Sequence, residues 1–157
     1  MATASVNRLA AGGAALDRGD WARARAEFEA ALAAGESREA LEGLGRACFL
    51  LDDLDASVQA WERAYRLCRE RGDAPGAARL ACALARQAGQ RGEQAVYNGW
   101  IERMRRLLSD LEECPEHALL AVQEGLFAFL RYNDPAAAQA HAASGRELAR
   151  RFGLLDL

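Results

Sequence analysis

The small, aromatic and polar positions of this chain recur with a long period laid over a helical one. Ala11-Gly12-Gly13 is followed by Gly19-Asp20-Trp21, and then by Ala24, Phe28, Ala31 and Leu32. The pattern returns 33 residues further on, where Leu44-Gly45-Arg46 leads to Asp52-Asp53-Leu54 and then to Ser57, Trp61, Ala64 and Tyr65. Each copy predicts a helix holding a small residue, a tight polar turn, and a second helix with small, aromatic and small residues at helical steps. Two antiparallel helices joined by a short turn leave an apolar side that only a neighbouring copy covers. The small residue of the first helix lets its partner approach, and Phe28 or Trp61 fills the space beside it. Gly45→Leu is therefore expected to overpack the pair, at a cost of about 1–3 kcal/mol.

Two looser copies follow. The third has a first helix at about 75–87, with Gly72-Asp73 as the break before it, Asp73 as amino-terminal cap and Pro75 at an early helical position. Gln90-Arg91-Gly92-Glu93 predicts the turn. The second helix carries Val96, Trp100, Met104, Leu107, Leu108 and Leu111 as one apolar stripe, and Cys114-Pro115 ends it. The fourth copy runs over 116–132 and 135–152, with Asn133-Asp134-Pro135 as the turn, Gly125 as the small residue and Gly153 as the stop. The expectation is one all-α domain, 1–157, of eight helices in four units at about 5–36, 38–71, 74–113 and 116–153. The tail Leu154-Leu155-Asp156-Leu157 reads as the start of a further helix. Stacked arrays normally end in a polar cap, so a piece of a longer protein is expected, with self-association through this end as the competing reading.

Composition narrows the function classes. The chain has 157 residues, 51% apolar and 27% charged, as in globular domains rather than disordered segments. All twenty basic residues are arginine. Codon bias in a GC-rich genome accounts for this more simply than selection for bidentate anion contacts. A formal charge of −3 argues against nucleic-acid binding by this segment. Cys48, Cys68, Cys82 and Cys114 form no C-x-x-C pair, and their spacings suit no zinc motif. They read as reduced thiols of a cytoplasmic protein. Residues 1–15 lack the basic start and continuous apolar run of a secretory leader. No run is long and apolar enough for a membrane span.

Catalytic signals are almost absent. No Gly-rich phosphate loop, G-x-S-x-G elbow or H-E-x-x-H occurs. His117 is expected to be solvated in the first turn after Pro115, and His141 to face its helix pair. Asp52, Asp53 and Asp55 read as a solvated helix boundary rather than a metal site. Arg103, Arg105 and Arg106, and Arg146, Arg150 and Arg151, read as solvated helix faces. The expectation is no enzyme, no metal and no cofactor.

Residues 19–64 carry G-D-W-A-R-A-R-A-E-F-E-A-A-L, E-A-L-E-G-L-G and L-D-D-L-D-A-S-V-Q-A-W-E-R-A. These strings resemble tetratricopeptide repeats, whose units have roughly 34 residues. Residues 62–73 (E-R-A-Y-R-L-C-R-E-R-G-D), 76–81 (G-A-A-R-L-A), 91–100 (R-G-E-Q-A-V-Y-N-G-W) and 105–108 (R-R-L-L) resemble a narrower group, as do 114–117 (C-P-E-H) and 133–138 (N-D-P-A-A-A). These are bacterial regulators with an amino-terminal tetratricopeptide-like region and a carboxy-terminal LuxR-type helix-turn-helix. In that group the helical array continues past the equivalent of Leu157. Residues 82–90 (C-A-L-A-R-Q-A-G-Q) depart from it, because the group tends to carry bulky aromatics there. No DNA-binding helix-turn-helix is present in this sequence. The lysine-and-asparagine clamp of chaperone-binding members is not matched, since Leu9 and Gly13 occupy its inward positions.

The resemblance implies a right-handed α-solenoid whose first helices line a concave groove. On that template Glu39, Glu42, Arg46, Phe49 and Leu50 face inward, joined by Arg79, Cys82, Arg86 and Gln90. Glu42, Arg46, Phe49, Arg79, Arg86 and Gln90 are the expected binding residues, with an exposed Phe49 as the anchor for a protein or peptide partner. Packing of Phe49 and Leu50 against the third unit is the structural alternative. The functional expectation is a protein-interaction or sensory region of a LuxR-type transcriptional regulator, cytoplasmic and without direct nucleic-acid or membrane contact. The alternatives are a stand-alone adaptor or oligomerisation module, and a small-ligand-binding helical protein.

Overall fold

A computed structural model describes residues 2–154, with side chains from residue 6 onward. Among the described residues there are eight helices and no strand: α1 Ala2–Asp17, α2 Trp21–Ala34, α3 Arg38–Leu50, α4 Leu54–Glu70, α5 Ala74–Gln90, α6 Gln94–Leu108, α7 Pro115–Tyr132 and α8 Pro135–Arg151. The chain divides into two compact units, Met1–Gly72 and Asp73–Leu157, each holding two of the four expected repeats. Of the apolar tail singled out in the sequence, Leu155, Asp156 and Leu157 lie outside the described residues.

One local device ends five of the helices. A residue with left-handed backbone is followed at once by an acidic residue that caps the next helix: Gly19-Asp20, Asp52-Asp53, Gly72-Asp73, Gly92-Glu93 and Asn133-Asp134. The left-handed residue closes the preceding helix, and the N–H of Asp20, Asp53 or Glu93 donates to the carbonyl five residues back at 2.9 Å. The aspartates then accept the N–H three residues ahead, at distances from 2.9 to 3.3 Å. Glu93 makes no such side-chain bond.

In the first unit α1 pairs with α2 and α3 with α4, and α3 also packs on α2 and touches α1. Phe28 holds this arrangement together. It is 4% exposed and lies between two glycines, Gly12 of α1 and Gly43 of α3. A Cβ at Gly12 would come within 2.8 Å of its ring, and one at Gly43 would overlap it. Trp61 of α4 sits in the same way against Gly45 of α3, and its indole N–H donates to the Glu42 carbonyl at 3.4 Å. Small–aromatic pairing thus works as the repeat predicts, but Phe28 reaches into the next helix pair as well as its own.

In the second unit α5 pairs with α6 and α7 with α8, and α7 packs on both α5 and α6. The buried stripe of α6 is Tyr97, Ile101, Met104 and Leu108. This corrects the expected stripe: Val96 points outward, and Trp100 and Leu107 are only half-buried. Leu111 falls beyond the helix, because α6 stops at Leu108 rather than reaching Cys114. There Ser109 turns its hydroxyl back to the Arg106 carbonyl, a local bond that competes with the helical ladder. The crossing of α7 and α8 is close at Gly125, where an added Cβ would meet His141 Cβ at 3.2 Å and the Ala138 carbonyl at 3.4 Å.

Candidate binding site

The six expected binding residues fall three in each unit. In the first, all three lie on α3. Glu42 is half-buried, with its carboxylate 3.7 Å from Arg38. Arg46 is exposed. Phe49 is half-buried rather than free, its ring 5.8 Å from that of Trp61.

In the second unit all three lie on α5, and they part company. Arg79 donates to Glu116 of α7 at 2.7 Å, and that carboxylate is only 7% exposed. The guanidinium therefore compensates a buried charge, and a ligand competing for it would strand Glu116. Arg86 and Gln90 instead line a cavity of about 440 Å³ between α5, the start of α6, and α7. Leu126, Phe127 and Leu130 provide its apolar wall, and Arg131 faces it together with Arg86. No carboxylate lines it.

Sequence reasoning missed the α7 side of this cavity. Val122, Leu126, Phe129 and Leu130 are 42%, 48%, 56% and 70% exposed, a row of large apolar side chains left in water along one helix. A signal existed. Residues 118–132 are apolar nearly all the way round, more than one buried face requires.

A second cavity, of about 590 Å³, opens between α6, α7 and α8. Here Glu124 of α7 receives Arg105 at 2.8 Å and stands 3.5 Å from His141 Nδ1. His141 thus faces its helix pair as expected. His117 does not fit its expectation of a solvated ring. It is half-buried, and its Nδ1 accepts the Cys114 N–H at 3.1 Å, closing the start of α7.

The two arginine clusters, Arg103, Arg105 and Arg106, and Arg146, Arg150 and Arg151, lie exposed on helix faces, as expected. Arg105 and Arg106 both pair with Glu102, Arg103 lies 4.8 Å over the Trp100 ring, and Arg151 pairs with Glu113. Burial pushes the Cys82 thiol up to about 11, and raises Cys48 and Cys114 as well. These thiols are therefore poor nucleophiles near neutrality. Among the described residues no three His, Cys, Asp or Glu side chains come together to hold a metal. No helix among them is long and apolar enough to cross a membrane. No protein-family model matches the chain, and no curated protein matches it.

Proposed function

We propose that this chain is a contact module of stacked helical pairs that binds a segment of a partner protein at the α5–α7 cavity. The observation that carries the reading is the exposed apolar row of α7 beside a cavity holding Arg86, Gln90 and Arg131 but no carboxylate. Exposed apolar rows of this kind mark docking surfaces, and concave sites with a few polar groups mark ligand sites. The partner segment that fits has an apolar side chain for Leu126, Phe127 and Leu130 and an acidic one for the two guanidiniums. Binding, not catalysis, is the mechanism: the segment docks and shifts the state of whatever the module is joined to. The resemblance to tetratricopeptide repeats and to LuxR-type regulators supports a right-handed solenoid and a regulatory role in a cytoplasmic transcription factor.

The test is recovery of partner by wild type against Leu130→Ser and Arg86→Ala. Both side chains are exposed, so neither change threatens the fold. Loss of the same partner with both variants supports the reading, and unchanged recovery sinks it. A native protein much heavier than 17.0 kDa that carries a helix-turn-helix supports the regulator, and a 17.0 kDa species supports a stand-alone adaptor.

A further inference from the structure

The cavity between α6, α7 and α8 has a different chemistry from the α5–α7 cavity and shares only Tyr97 and Phe127 with it. We propose that it binds a small organic cation, an alkylammonium with apolar substituents, through an aromatic wall backed by carboxylates. Its volume of about 590 Å³ suits a small organic molecule.

Three rings form one continuous wall. Tyr97 and Phe127 are nearly parallel, at 14° and 5.7 Å, and Tyr132 meets Phe127 edge-on at 83° and 5.3 Å. Ring faces carry negative quadrupole density and attract a positive charge. Tyr97 is buried, its hydroxyl donating to the Gln123 carbonyl at 3.3 Å and its ring stacked on Phe127, so it backs the wall rather than facing solvent. Tyr132 is 70% exposed, a large aromatic that its own chain leaves uncovered.

The charges of the lining favour the same ligand. Glu102, Glu124 and Asp134 face one arginine, Arg105, and one imidazole, His141. Arg105 is bound to Glu102 at 2.6 Å and to Glu124 at 2.8 Å, and Arg106, from outside the cavity, also pairs with Glu102 at 3.0 Å, so the three carboxylates meet two guanidiniums. An anion meets a net negative lining. A hydrated metal ion finds no group of three ligating side chains among the described residues. A cation with methyl or methylene groups gains from both the rings and the carboxylates, while Ile101 and Ala128 contact its substituents.

Titration calorimetry with choline, and with its uncharged carbon analogue 3,3-dimethyl-1-butanol, tests this at matched ionic strength. Choline is expected to bind saturably at one site, with the neutral analogue at least about tenfold weaker. Tyr132→Leu, at an exposed position, is expected to weaken choline by about tenfold, whereas Tyr132→Phe keeps the ring and retains binding. The proposal is overturned by absent choline binding, by equal affinity for the neutral analogue, or by an unaffected Tyr132→Leu. A trimethyllysine peptide that binds where choline does not would overturn the free-molecule reading.

Discussion

At Gly43 the α3 backbone comes so close to the Phe28 ring that an added Cβ has no room. Phe28 is fully packed and has little freedom to retreat. Gly43→Ala is therefore expected to destabilise by about 1–3 kcal/mol, read as a lower urea midpoint at unchanged slope. Gly13 is also helical, yet an added Cβ there meets nothing within 4 Å. Gly13→Ala is expected to stabilise by about 0.5–1 kcal/mol, because alanine loses less backbone entropy. The sequence marks both positions as small and does not say which one is a packing contact. Cys82 makes a second case. Its thiol is raised from 9.0 to about 11 by burial, so the folded state holds a proton that the unfolded chain releases first. The folded protein then binds more protons across pH 9 to 11, and stability falls as pH rises through that window. Cys82→Ala is expected to flatten this fall in urea titrations at successive pH values. An equal slope in the variant would count against the burial argument.

The turns are the best-determined elements, because their chemistry is local. Left-handed backbone wants glycine or asparagine, and an orphan N–H wants an aspartate. Two positions depart from this rule. Asp52 takes φ 61° without being glycine, and Glu93 caps α6 without a side-chain bond. Glu93→Asp shortens the side chain to the length that the other four turns use. A gain of about 1 kcal/mol in urea unfolding is expected. The helix faces were less legible. Along α6, Val96, Trp100 and Met104 fit the helical period as well as Tyr97, Ile101 and Met104 do. The two stripes differ by one residue's rotation, and neighbours from α5 and α7, such as Ala85, Ala88 and Phe127, decide which one is buried.

For the whole molecule, the six expected site residues divide between two compact units, and Arg86 and Gln90 line the α5–α7 cavity. Arg79 has the same chemistry and lies on the same helix, but it serves Glu116. Arg79→Ala is expected to lower stability by about 1 kcal/mol, a modest value because the guanidinium is 43% exposed, and to leave partner recovery per folded molecule unchanged. Each unit has a core of its own, Phe28 with Ala15, Ala24 and Ala47 in one and Tyr97 and Ile101 with Ala85 and Ala88 in the other. The fragment 73–157 is accordingly expected to stay helical by circular dichroism when produced alone. A random-coil spectrum would show that its fold depends on the first unit.

Helix number, the five polar turns and the pairing of glycine with aromatic residues follow from the sequence alone. Each is set by residues one to five apart, or by a pairing that repeats, so local sterics and hydrogen bonding leave little choice. Tertiary structure alone decided that Gly43 rather than Gly13 touches Phe28, that Tyr97 rather than Val96 turns inward, and that α7 keeps an apolar row in water. It also decided that two cavities of opposite character flank Phe127, one lined by arginines and amides and the other by rings and carboxylates. Each cavity draws its lining from three helices. The rotation of each helix about its own axis is fixed only when all their side chains pack together, and no stretch of sequence carries that information by itself.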